Sequence, residues 1–257
     1  MIETYLSRAV LVAIRVGGLM SFAPFFSNAG VSMQVKAGLT LLLTFLLLPI
    51  YTSANAAPSG GTGSWFLMAF GEVMLGLMMG MTTQFVFDGM ELAGQVVGFQ
   101  FGFSLVNVID PNSQVEVTVL ATFHSLIALL IFMQLGVQRL LLHAVAASFA
   151  MIPPGSVGSL HLAIPALLRM SVAIWLIGAE IAFPVLLATM LTDLTIGFLT
   201  KASPQLPALF FGISTKVLLG LAVLYGVASF WPQLLERYFT HAMVNLEQLL
   251  ALLRSGG

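Results

Sequence analysis

The chain has 257 residues, 59% of them apolar and only 7% charged, against about 25% charged in a soluble domain, which excludes an ordinary soluble globular protein. A net charge of −1 with no run of Lys or Arg removes the electrostatic basis for binding nucleic acid, whose affinity rests on neutralising phosphates. The lack of cysteine rules out a disulfide framework, a thiolate nucleophile and a Cys-based metal site.

Helix-length apolar segments are predicted at about 2–22, 35–51, 65–88, 117–138, 140–151, 161–191 and 208–230, several long enough for the roughly 20 residues that cross a hydrocarbon core. Turn chemistry separates them at Asn28-Ala29-Gly30, 58–63, Asp110-Pro111, Pro153-Pro154-Gly155 and 203–207. The expected fold is all-α, a single domain over 1–257 of membrane-type helical hairpins with broken helices. The first segment begins with Glu3 and carries Arg8 and Arg15, whereas a secretory signal has a basic start and an uninterrupted apolar core; it reads as retained. The small-x-small pattern Ala54-Asn55-Ala56 lies too deep for signal cleavage, and 52–64 reads as a surface loop. Segment 140–151 is too short to cross alone and reads as a half-helix or interior element. Beyond Trp231-Pro232, residues 233–257 form an amphipathic helix and tail. This helix is expected to lie on a membrane surface or to dock on a partner.

Five charges stand inside apolar segments: Arg15, Glu72, Arg169, Glu180 and Lys216. At a bilayer centre each costs about 2.5–3.5 kcal/mol, so they are expected to make inter-helix or inter-subunit contacts, although Arg15 and Lys216 also suit snorkelling from a helix end. Arg169 and Glu180 share a helix face at roughly 16 Å, too far to pair with each other, so each needs a partner elsewhere. Pro184 frees the backbone carbonyl of residue 180 at an expected kink. A buried carboxylate there reads as one half of an ion pair, with a proton or contact site as the sharper alternative.

Residues 89–116 read GMELAGQVVGFQFGFSLVNVIDPNSQVE, and no single regular structure fits them. Gly94, Gly98 and Gly102 recur at i, i+4 and i+8, as Gly76 and Gly80 do earlier, a spacing that lets another backbone approach one helix face. From Phe99 the large residues alternate, Gln100 and Asn107 stand between them, and Asp110-Pro111 ends the run, so a helix break is expected. Irregular backbone at membrane depth is tolerated only inside protein or beside a watery cavity; the alternative is an exposed loop after a glycine-packed helix. A second break is expected from Thr192 to Pro207, where Asp193, Lys201 and Gln205 stand among glycine and prolines. Two interrupted helices would also suit a small secondary transporter.

No catalytic constellation is present. Gly102-Phe103-Ser104 lacks the closing glycine of a nucleophile elbow, and there is no H-E-x-x-H and no phosphate-binding loop. His124, His143, His161 and His241 show no i, i+4 pairing, and Asp88 and Glu91 read as a solvated helix end rather than an acid–base pair. The methionines at 74, 78, 79 and 81 read as adaptable packing.

Over nearly its whole length the chain resembles the FliR family of flagellar biosynthesis proteins and their type III secretion counterparts, SctT. The residues that carry the likeness are Arg15-Val16, Ala23-Pro24, Val35-Lys36-x-Gly38-Leu39, Gly94-Gln95-x-x-Gly98-Phe99-Gln100-x-Gly102-x-Ser104 leading to Asp110-Pro111, and Ile152-Pro153-Pro154-Gly155-Ser156. It continues in Gly197-x-Leu199-x-Lys201-x-x-Pro204-Gln205-Leu206, Gly212 and Lys216-x-Leu218-Leu219-Gly220-Leu221, with departures at Ser32-Met33-Gln34 and Ser214. The resemblance implies one non-enzymatic subunit of a spiral export gate in the bacterial inner membrane and flagellar basal body. FliP-like and FliQ-like subunits, FlhB-like and FlhA-like proteins, membrane lipid and unfolded export substrates would be its partners, with no cofactor, metal or nucleic acid. It also implies that the loop near 103–119 plugs the passage. The residues assigned to that plug are Phe101, Phe103, Ser104, Val106, Asn107, Val108, Ile109, Asp110 and Pro111. Gly76, Gly80, Gly94, Gly98 and Gly102 would then pack helices closely. Polar contacts would fall to Arg15, Glu72, Gln100, Arg169, Glu180, Lys201, Gln205 and Lys216. An injectisome gate subunit and a small transporter are the alternatives, and an intramembrane enzyme using Glu72 or Glu180 is a third.

Overall fold

In the computed structural model the described residues are 2–24, 31–51, 62–103, 119–156, 162–203 and 208–255. Among them stand eight α-helices and no strand: α1 (Ile2–Phe22), α2 (Met33–Tyr51), α3 (Thr62–Gln100), α4 (Val119–Leu135), α5 (Val137–Met151), α6 (Ala163–Ala202), α7 (Ala208–Ala228) and α8 (Trp231–Ser255). This is an all-α, membrane-type fold. By length and composition α1, α3 and α6 each suffice to cross a membrane, and the bent pairs α4–α5 and α7–α8 raise the number of spans to as many as five.

Helix lengths depart from the sequence expectation in three places. Helix α3 runs on through Gly89, Gly94 and Gly98 to Gln100, which puts Asp88 and Glu91 inside a helix rather than at its end; Glu91 accepts a hydrogen bond from Gln95 at 3.3 Å. Helix α6 continues to Ala202, so the break expected from Thr192 to Pro207 begins only after Ala202, and 204–207 lie outside the described residues. The polar residues there are satisfied by the helix itself: the hydroxyls of Thr192, Thr195 and Thr200 donate to the carbonyls of Ala188, Leu191 and Ile196 at 2.9, 2.8 and 2.7 Å. The expected segment 117–138 is cut at Gly136, whose φ of 69° is left-handed, and the chain bends by 67° into α5.

The chain forms two compact units: residues 1–85, 132–171 and 238–257 in the first, and 86–131 and 172–237 in the second. In the first, α1 lies against α2, Phe132 meets Phe239 edge to face at 5.5 Å, and Leu11, Val16, Leu19, Leu75, Met79, Leu141 and Phe149 are buried. In the second, Met90, Val97, Ala121, Ile177, Ile181 and Val185 are buried. The His124 ring stands 4.9 Å from Trp231.

Helix α8 corrects a further expectation. Its apolar stripe, Trp231, Leu235, Phe239, Leu246, Leu249, Leu250 and Leu253, is buried within the chain, and Glu236, Thr240, His241, Glu247 and Gln248 take the exposed face. The amphipathic pattern therefore reports a helix docked on its own protein, with its apolar face unavailable to a membrane surface or a separate partner.

Candidate functional site

Two arrangements concentrate the polar groups and glycines, one in each unit. In the first unit Arg15 of α1 is 0% exposed and is clamped from four sides. Its Nε and Nη2 donate to the two carboxylate oxygens of Glu72 on α3 at 2.5 and 3.0 Å, a bidentate pairing. Nη1 donates to Ser148 Oγ on α5 at 3.1 Å, and Nη2 also donates to the Ile152 carbonyl at 3.0 Å. The guanidinium lies 4.2 Å from the centre of the Phe149 ring, within cation–π range. Glu72 takes one further bond, from the Gly155 N–H at 2.8 Å. Gly155 has φ 84°, the backbone conformation that side chains resist.

Glycines bring these helices within reach of one another. A Cβ on Gly76 would fall on the carbonyl oxygen of Arg15 and stand 3.0 Å from Leu19 N. A Cβ on Gly80 would be 2.9 Å from Phe22 Cβ, and one on Gly18 2.9 Å from Val73 O. Close backbone approach and the buried ion pair are thus one feature, which the sequence reading held apart as two. The snorkelling alternative for Arg15 fails because its head group is enclosed. With every partner supplied, the pair has no unpaired oxygen to offer chemistry and acts as a fastener between α1, α3 and the turn after α5.

In the second unit the arrangement sits at the C-terminal end of α3. The Gly102 N–H donates to the Phe99 carbonyl at 3.0 Å and the Phe103 N–H to the Gly98 carbonyl at 3.1 Å, with Gly102 at φ 83°. That is a Schellman termination. Gly102 therefore ends the helix instead of extending the packing face of Gly94 and Gly98. Gly94 meets α4, where a Cβ would stand 2.5 Å from Ala121 Cα; Gly98 is buried. The alternating aromatics belong to a helix end and its turn: Phe101 is 2% exposed and Phe99 and Phe103 are exposed. The Phe101 ring lies against Gly220 of α7, beside Thr189 of α6, and meets Phe103 edge to face at 5.9 Å. Next to it, Gln100 Nε2 donates to Asp193 Oδ2 at 3.4 Å, and Lys216 Nζ bonds the same oxygen at 2.7 Å.

The remaining expected contacts scatter. Glu180 pairs with Arg237 of α8 at 2.8 Å, both substantially exposed, so it is no buried carboxylate. Arg169 and Lys201 are exposed and make no ion pair among the described residues. Ser104, Val106, Asn107, Val108, Ile109, Asp110, Pro111 and Gln205 lie outside the described residues. The sequence reading missed Ser148, Arg237 and Gly220 as contact residues. Gly89 and Gly178 escaped it as well, although a Cβ on either would fall within 3 Å of Ile177 or Leu92.

The long apolar helices and the buried Arg15–Glu72 pair that joins two of them define an all-α, membrane-type protein. The family described as bacterial export proteins, family 1, matches residues 6–242, and the chain belongs to that family. It is 28% identical to the flagellar biosynthetic protein FliR of Escherichia coli (strain K12) over 238 residues, 93% of this chain and 89% of that one. With FliR of Pectobacterium carotovorum subsp. carotovorum it shares 27% over 243 residues, 94% and 92% of the two chains. FliR of Bacillus subtilis (strain 168) is 25% identical over 253 residues, 95% and 94% of the two chains.

Proposed function

We propose that the chain is a non-enzymatic subunit of the flagellar type III export gate in the bacterial inner membrane. It forms and plugs a protein-conducting pore with FliP-like and FliQ-like subunits, beside FlhB-like and FlhA-like proteins. The observation that carries this reading is the end of α3: a 39-residue apolar helix stopped by a glycine cap, with Phe101 of its closing turn seated on two other helices, delivers the chain to residues 104–118 from a fixed point. Those residues, with Phe103, form the plug in this reading, whereas Phe101, which the sequence reading counted in the plug, is buried against Gly220 behind it; unfolded export substrates displace the plug. The relatives, all named as flagellar proteins, favour the flagellar system over an injectisome. The transporter alternative is less well supported, because α6 is continuous through Thr192 and Asp193 to Ala202.

The test is to isolate the tagged full-length chain from its native membrane and identify the small apolar proteins that accompany it, with and without Gly98→Val. FliP-like and FliQ-like partners with the unaltered chain, and impaired assembly or a small-ion leak with Gly98→Val, support the reading. A chain recovered alone that moves solute in vesicles would replace it with a transporter.

A further inference from the structure

The gate reading takes the α3 terminus as a fixed point, and the contacts behind it, most of them unused by that reading, show what fixes it. Gln100 and Phe101 at the end of α3, Thr189 and Asp193 of α6, and Lys216 and Gly220 of α7 belong to one compact unit. The apolar part is a ring on a glycine: a Cβ on Gly220 would fall on Phe101 Cε1 and stand 3.2 Å from Thr189 Cγ2. Thr189 is held in place, because its hydroxyl donates to the Val185 carbonyl of its own helix at 2.8 Å. The polar part is a chain in which Lys216 holds Asp193 and Asp193 holds Gln100. Lys216 is 18% exposed and Asp193 50%, so this pair borders the surface and is worth far less than the buried ring. Loss of a half-exposed pair shifts an equilibrium by roughly fivefold at most, whereas unseating a buried Phe shifts it by about tenfold or more.

We infer that Gly220, Asp193 and Lys216 are positioning residues: they latch the C-terminal turn of α3 onto α6 and α7 and so hold the root from which the sealing segment leaves. The inference rests on the gate reading for its consequence, but the latch itself is a contact within one chain. It assigns to α7 a glycine that packing between subunits does not explain, since its missing side chain is occupied by this protein's own Phe101.

The experiment uses full-length chain in cells carrying the complete apparatus, and reads small-ion leak, secretion of flagellar protein and the amount of assembled complex. Gly220→Ala is expected to raise the leak about tenfold, and Gly220→Ala with Phe101→Leu, which returns the lost space, to reverse most of that rise. Asp193→Lys and Lys216→Asp are each expected to raise it by up to roughly fivefold, and the charge-swapped double variant to restore sealing. Should Gly220→Ala fail to accumulate, Asp193→Lys and the charge-swapped double variant carry the test, because Asp193 is 50% exposed. Gly102→Val separates the two readings. A leak with Gly102→Val but tight sealing in Gly220→Ala and in both charge variants overturns the latch and leaves the gate standing, and so does a leak that neither double variant reverses. Tight sealing and normal secretion in all of them overturns the gate reading itself.

Discussion

Arg15 and Glu72 show how a charge becomes tolerable inside an apolar helix: each fills the other's bonding capacity, and Ser148, Ile152 and Gly155 supply the remainder. Removing one partner leaves an uncompensated buried charge, which costs about 3–5 kcal/mol, whereas replacing both by apolar groups of similar volume is often neutral. Arg15→Met or Glu72→Gln should therefore lower the thermal unfolding midpoint of the detergent-purified protein sharply, and Arg15→Met with Glu72→Met should recover most of the loss. A double variant no better than the singles would show that the bonds to Ser148 and Ile152 carry the stability. A parallel contrast exists among glycines. Gly76→Ala meets the Arg15 backbone, while Gly38→Ala meets nothing within 4 Å; the first should reduce the folded yield and the second should hold or raise it, by up to about 1 kcal/mol of helix propensity. The lone charges were legible because apolar segments make them conspicuous. Their pairing was not, because partners 57 positions apart are joined only by packing.

At the level of elements, one glycine spacing served two purposes that sequence alone does not separate. Gly94 allows α4 to approach and Gly102 ends α3, yet both continue an i, i+4 series. Only the position of the helix end tells a packing glycine from a terminating one. Gly102→Ala forces a side chain into the left-handed region at about 1–2 kcal/mol, while Gly102→Asn suits that region better. Limited proteolysis after α3 should be faster in the Ala variant and intermediate in the Asn variant; equal rates in all three would argue against the cap. The break expected from Thr192 begins only after Ala202, for a related reason. Polar residues looked like interruptions, but threonine hydroxyls bond back to their own helix, and Asp193 is met by Lys216.

For the molecule as a whole, the exposed surface is strongly apolar, with Tyr225 86% and Trp175 71% exposed. Helices α3 and α6, at 39 and 40 residues, are each close to 60 Å long at about 1.5 Å per residue, twice the roughly 30 Å hydrocarbon core. Composition made the membrane-type fold legible, while length shows that hydrophobicity extends beyond what lipid alone would cover. The chain has no cysteine, so single cysteines can report coverage directly. A cysteine at Tyr225 or Trp175 should resist a water-soluble maleimide in native membranes and one at Gln248, on the polar face of α8, should react; rapid labelling at all three sites would mean that the apolar surface is neither lipid-covered nor partnered.

The Arg15–Glu72 fastener also bears on biosynthesis. The arginine emerges from the ribosome 57 residues before its carboxylate and still earlier than Ser148. During that interval α1 carries an unanswered guanidinium, which lipid penalises by about 2.5–3.5 kcal/mol. The nascent first helix therefore has reason to wait at the insertion machinery until α3 arrives, and the two should enter the bilayer as a pair. In a chain carrying Glu72→Gln, integration of the N-terminal helix should be delayed even where translation proceeds normally.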